Sequence, residues 1–204
     1  VTNGADWLTD EGADEESDAS LQRRYELAWK AKAGVTRAAY EAAALSVPGV
    51  VDVYVADQHP RGEGTVDVVV QGSAGIPTAK LLEAVKAALD NAIVINHDVK
   101  AKAPAPVSVS VRAVLEVLSG DADGIKAQAE SWVKAMFSYG DDSDIPRFSI
   151  GKDVVRDRLA SGIVGISGVK RIRWESPQED VEIPADGLAV LVDLSLSTVW
   201  TDAE

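Results

Sequence analysis

Val47-Pro48-Gly49-Val50-Val51-Asp52-Val53-Tyr54-Val55 decides the fold of this chain. Pro48-Gly49 ends an apolar pattern of helical period, and Val51, Val53 and Val55 then alternate with Asp52 and Tyr54 as a half-buried strand does. A helix breaks into a strand with no room for a second helix between them. The same grammar returns at Ile166-Ser167-Gly168-Val169, where a second helical pattern runs into a second strand. Each half reads as helix, helix, Gly-Val strand, strand. Two small α+β modules, each a short, mainly antiparallel sheet packed with helices, explain the repetition, and an internal duplication is one source of it.

Outward from the first motif, Thr36 stands as N-cap of the helix that carries Tyr40, Ala43, Ala44 and Val47. Before it, Leu21, Tyr25, Ala28 and Trp29 share one helical face opposite Arg23, Arg24, Glu26 and Lys30, and Gly34 closes that helix. Trp29 and Trp132 both sit on helical stripes and read as core. After the first strand, His59-Pro60-Arg61-Gly62-Glu63-Gly64 is a hairpin loop leading to Val66, Val68 and Val70. Thr78 caps a helix with Leu81, Leu82, Val85, Ala88 and Leu89 inward, and an extended piece follows at Asp98–Ala103. In the second half Val107–Val117 alternates as a long strand. Ile125, Ala129, Trp132, Val133, Met136 and Phe137 form a helical stripe that stops at Gly140. Val154, Val155, Leu159 and Ile163 lie on a helix opened by Gly151, and strands near 168–175 and 187–198 close the chain. The expected division is an acidic arm at 1–17, a first module at 18–103, a Pro-containing connection at 104–106, a second module at 107–198 and a tail at 199–204. Trp200, in that tail, is a candidate anchor at a subunit contact.

The composition excludes several functions. The chain of 204 residues is 46% apolar and 26% charged, which is that of an ordinary folded protein. No apolar run reaches the length of a membrane span. The absence of cysteine removes disulfides, thiolate metal sites and thiol nucleophiles. Thirty-three acids against 20 bases leave a net charge of −13. Lys170-Arg171-Ile172-Arg173 is a lone basic cluster in an acidic half, so nucleic-acid binding is disfavoured and an exposed strand edge kept soluble by charge is the better account.

Catalytic chemistry finds no foothold. His59 stands on a hairpin tip and His97 before a strand, with no serine or carboxylate spacing to make a triad. Gly62-Glu63-Gly64 leads into a strand, so it lacks the helix N-terminus that a phosphate cradle needs. Gly72-Ser73-Ala74-Gly75 precedes a helix but lacks the Gly-Lys-Ser/Thr ending. Asp121-Ala122-Asp123-Gly124 and Asp141-Asp142-Ser143-Asp144 lack the spread of ligands and closing glutamate of a calcium loop; capping by Asp121 or Asp123 explains the first, a solvated turn the second. No catalytic, cofactor-binding or metal residue is assigned, and no cofactor is expected.

Several of these stretches together resemble the Baseplate J-like family of contractile phage tails and related injection machines. They are Gly12-Ala13-Asp14-Glu15-Glu16-Ser17-Asp18 before a helix with paired arginines, Tyr40-Glu41, Val47-Pro48-Gly49-Val50, Gly62-Glu63-Gly64-Thr65-Val66, Leu81-Leu82-Glu83-Ala84-Val85, Ala103-Pro104-Ala105-Pro106-Val107 and the Gly168-Val169 strand. The likeness runs from about residue 12 to 198; the aspartate loop after Phe137 departs from it. It implies the C-terminal portion of a structural wedge protein without catalytic residues. Its partners are then other baseplate or wedge proteins and copies of itself, its place a virion tail baseplate assembled in the bacterial host cytoplasm. A wedge must also rearrange when a tail contracts, and the joint at 103–106 is the expected hinge. The competing reading is a small-molecule-binding regulatory α+β module, which requires a concave pocket with convergent polar groups.

Overall fold

A computed structural model describes residues 18–31, 36–91, 97–139 and 145–201. The acidic arm, Gly34, Gly140 and the aspartates at 141–144 lie outside the described residues. The chain divides into two units, residues 1–105 with 139–143 and residues 106–138 with 144–204.

The first unit contains α1 (Asp18–Ala31), α2 (Arg37–Leu45), β1 (Val50–Ala56), β2 (Thr65–Gly72), α3 (Ala79–Asp90) and β3 (Asp98–Lys102). Its sheet has the order β1-β2-β3. The hairpin is antiparallel with Val53 opposite Val70 and Val55 opposite Val68, whereas β3 returns parallel to β2, with Val66 opposite Val99. The parallel return follows from the α3 crossover, which carries the chain back to the start of the sheet before β3 begins. Tyr40 and Ala44 of α2 and Val85 and Leu89 of α3 close over the valines of β1 and β2 as one buried cluster. Thr78 caps α3 as expected, its hydroxyl accepting the Leu81 amide at 3.2 Å. Thr36 occupies the N-cap position of α2 without a side-chain bond.

The helix α1 departs from expectation. Leu21, Tyr25 and Trp29 are 49%, 62% and 58% exposed, and Leu27 is the buried side chain instead. Trp29 is therefore not core. A helical stripe records which residues share a face, and here the face that packs is set by the Leu27 side, where Arg23 also reaches Asp52 at 3.1 Å.

The second unit contains β4 (Ala105–Val117), α4 (Ala122–Met136), α5 (Arg156–Val164), β5 (Val169–Ser176) and β6 (Gly187–Trp200). The sheet order is β5-β4-β6. β5 runs antiparallel to β4, with Leu115 opposite Ile172. β6 ends where β4 ends, the Thr201 amide donating to the Val117 carbonyl at 3.0 Å, so these neighbours run parallel. Each unit thus carries one antiparallel and one parallel pair in a mixed α+β sheet. The closing strands β5 and β6 are not partners: β4 lies between them, and the ten residues after Ser176 carry the chain past it.

Val109, Val111, Ala113, Leu115 and Val117 present one face of β4 to Ile125, Ala129, Val133 and Met136 of α4 and to Leu159 and Ile163 of α5. Trp132 packs against this core and donates its indole N–H to the Leu159 carbonyl at 3.1 Å. α5 begins later than the pattern predicts. Val154 makes a two-way backbone bridge to Val181, with N···O distances of 2.9 and 3.1 Å, so the β-branched Val154-Val155 pair is extended and the helix starts at Arg156. Trp200 also moves from the tail into β6, because Thr198, Val199 and Trp200 continue the ladder to Thr201.

Candidate functional site

The polar side chains of the first unit gather around the hairpin loop and the start of β3. Asp67 interrupts the valines of β2, and its side chain is 5% exposed. A buried carboxylate needs partners. Arg61 supplies one, its Nε donating to Oδ1 at 2.6 Å, and the Lys102 ammonium bonds Oδ2. Arg61 also pairs with the Asp98 carboxylate and donates to the Asp98 carbonyl at 2.9 Å. Its own amide donates to the Thr65 hydroxyl at 3.0 Å, and that hydroxyl donates to the Gly62 carbonyl at 2.6 Å. Burial pushes the Asp67 carboxyl up, but Lys102 and Arg61 outweigh it and hold it below the usual carboxylate range. The Arg61 guanidinium likewise holds Asp98 low. These charges are spent on one another, so the cluster pins the 57–64 loop to β3.

Beside it lies a cavity of about 200 Å³ lined by Arg37, Tyr40, Asp57, His59, Thr65 and His97, among others. Both histidines of the chain meet here, 38 positions apart in sequence. The Tyr40 hydroxyl and His97 Nδ1 are 2.8 Å apart. Arg37 forks onto Asp57, with Nε to Oδ2 at 3.2 Å and Nη2 to Oδ1 at 2.7 Å. That hydrogen bond holds the Asp57 carboxyl low, and burial raises the Tyr40 phenol. His59 adopts a left-handed backbone, φ +53°, at the turn. The cavity offers imidazole and phenol groups: the Tyr40 hydroxyl on His97 is a hydroxyl–base pair, and no described serine or lysine lines the cavity beside it. Among the described residues no group of three or more His, Asp or Glu is arranged to hold a metal, and no helix is long and apolar enough to cross a membrane.

The other singled-out residues lie apart. Gly62 and Gly64 are hairpin glycines at φ +119° and +73°. Gly72 and Gly75 exchange backbone hydrogen bonds at 2.9 Å each, closing a turn ahead of the α3 cap. Asp121 is the N-cap of α4, accepting the Asp123 amide at 3.2 Å. Arg173, on the outer strand β5, pairs with Glu116 at 2.9 Å, and Arg156 lies over the Trp174 ring at 5.9 Å. Sequence reasoning missed the Arg61–Asp67–Lys102 cluster, whose members span 41 positions. Its one signal was an aspartate inside a run of valines.

Residues 32–114 match the Baseplate J-like central domain. Among solved structures the fold is similar to a chain of the anti-feeding prophage baseplate, determined by cryo-electron microscopy and 6-fold symmetrised. The TM-score is 0.59 at 13% identity, over 86% of this chain and 42% of that one. The chain thus spans less than half the length of the baseplate chain it resembles. No curated protein matches it.

Proposed function

We propose that the chain is a structural component of the baseplate of a contractile phage tail or a prophage-derived machine, where it forms wedge subunits through contacts with other baseplate proteins and with copies of itself. The observation that carries this is the agreement of two comparisons: the central-domain match at 32–114 and a baseplate fold over 86% of the chain. The site chemistry supports it. The charged groups of the first unit neutralise one another in pairs that hold a loop in place, as a scaffold requires. The role is non-catalytic, and assembly takes place in the bacterial host cytoplasm. Co-expression with the proteins encoded beside it, followed by negative-stain electron microscopy, tests this. Wedge-shaped or ring-shaped particles containing the chain are expected; a chain that enters no complex with them overturns the reading.

One observation favours the ligand-binding alternative, the cavity shared by His59 and His97. Its volume falls below the roughly 300–1,000 Å³ of most small-molecule pockets. A metabolite that raises the melting temperature without any assembly partner present would favour that alternative.

A further inference from the structure

Helix α1 turns its aromatic side chains to the surface. Leu21, Arg24, Tyr25, Ala28 and Trp29 stand at the i, i+3, i+4, i+7, i+8 spacing of one helical face, and every one of them is exposed. Tyr25 and Trp29 are exposed by 62% and 58%, and their rings meet edge to face with centroids 6.2 Å apart. The other side of the helix does the packing, through Leu27 and the Arg23–Asp52 pair. Large apolar groups gathered on one exposed face mark a contact site.

The segment that joins α1 at its first residue has the matching chemistry. Residues 1–17 carry six acids and no base, and their large apolar side chains are Val1 and the adjacent pair Trp7-Leu8. Arg24 gives the exposed face of α1 the opposite sign. The lengths also agree. Trp29 lies about 16 Å along the helix axis from Asp18. The nine residues between Leu8 and Asp18 span up to about 30 Å when extended. Asp10, Glu11 and Asp14 fall within that span, on the way past Arg24. A segment tethered this closely acts at an effective concentration in the millimolar range, an advantage that a separate chain lacks. A second α1 is a poorer cover, since a two-fold pairing about Tyr25 would set Arg24 beside Arg24.

We propose that residues 7–16 fold back along α1 of the same chain, with Trp7-Leu8 seated on Tyr25 and Trp29 and the acids of 10–14 beside Arg24. The aromatic face of α1 is then covered from within the chain. The proposal goes beyond the structural role given above and does not depend on it.

Paramagnetic broadening in the whole chain tests it. The sequence has no cysteine, so Thr9→Cys gives a single attachment point for a nitroxide, next to Leu8. In nitrogen-15-labelled protein the nitroxide is expected to broaden the amide signals of Tyr25–Trp29 more than those of Ser20 and Leu21, which are nearer in sequence. Adding Trp7→Ser and Leu8→Ser to the spin-labelled chain is expected to restore the Tyr25–Trp29 signals and to leave the circular dichroism spectrum unchanged. Broadening that only fades along the chain from Ser20 to Trp29 is what an undocked segment gives, and it overturns the proposal. So does broadening at Tyr25–Trp29 that survives the serine substitutions. Mixing spin-labelled chain without nitrogen-15 and nitrogen-15 chain without the spin label identifies the source of the segment. Intact signals in the mixture are expected; a loss as strong as in the doubly labelled chain would mean that a second copy covers α1, and it also overturns the proposal. None of these outcomes bears on co-assembly with baseplate proteins, so the two readings are separable.

Discussion

Gly49 and Gly168 hold the same left-handed conformation at the same station of the two units, φ +93° and +96°. Each follows a nine-residue helix, α2 or α5, and precedes a strand that is antiparallel to the centre of its sheet. The Gly49 carbonyl accepts the Ser73 amide and the Gly168 carbonyl accepts the Leu118 amide, both at 2.9 Å. Ser73 and Leu118 stand just past the ends of the central strands β2 and β4, and each is followed two residues later by another left-handed glycine, Gly75 or Gly120. The equivalence therefore extends to the central strand and the helix after it. What differs is chain order: the central strand comes after the helix–strand pair in the first unit and before it in the second.

A Cβ at Gly168 would press into the Ser119 carbonyl oxygen, and its backbone conformation is strained for any L side chain. Gly62 carries the same backbone strain but opens onto empty space. Gly168→Ala is expected to cost about 2–4 kcal/mol and Gly62→Ala about 1 kcal/mol. Urea unfolding of the two variants checks the order; equal losses would mean that the Ser119 contact relaxes freely.

The units were legible from period and punctuation, because both are local. Val-Pro-Gly-Val and Ser-Gly-Val each announce helix, turn and strand within a few residues, and the odd positions from Val107 to Val117 are all apolar. Partnership across the sheet was not legible. Nothing in Val169–Ser176 says that its neighbour is β4 and not the strand that follows it, since pairing is set by how a crossover closes and not by composition. The candidate site failed to show for a related reason. His97 and Tyr40 are 57 positions apart, and only α2 lying against the sheet brings them to 2.8 Å.

Helix α1 shows how a correct period can assign the wrong face, and it yields a direct comparison. Leu27 is buried while Leu21 is half exposed, although both are leucines of one helix. Leu27→Ala is expected to cost about 2–3 kcal/mol. Leu21→Ala stays within about 0.5 kcal/mol of the parent. Thermal melts followed by circular dichroism distinguish them, and a large loss at Leu21 would restore the face predicted from the pattern.

Acid should find the first unit through its aspartates. The Asp57, Asp67 and Asp98 carboxyls are all held below their ordinary range in the folded chain. The unfolded chain therefore binds more protons as pH falls, and the stability that these groups contribute is complete above about pH 5 and lost progressively below it. Asp67→Asn removes one of the three, so the fall in the urea midpoint between about pH 5 and 2 should become shallower. An unchanged acid limb would show that Asp67 titrates alike in both states.

Trp132 of α4 and Gly162 of α5 set how closely the two helices pack. The Trp132 ring lies so close over Gly162 that a Cβ there would overlap its six-membered edge. The indole is also tied down by its hydrogen bond to the Leu159 carbonyl one turn earlier. A ring fixed at its nitrogen cannot slide away from a new methyl without giving up that bond. Gly162→Ala should gain helix propensity yet destabilise the second unit by roughly 1–3 kcal/mol through overpacking. Trp132→Leu removes the obstacle along with the hydrogen bond. Adding Gly162→Ala to Trp132→Leu should then cost less than adding it to the parent, a coupling of about 1 kcal/mol or more in a double-mutant cycle. Additive losses would mean that the ring is free to move aside.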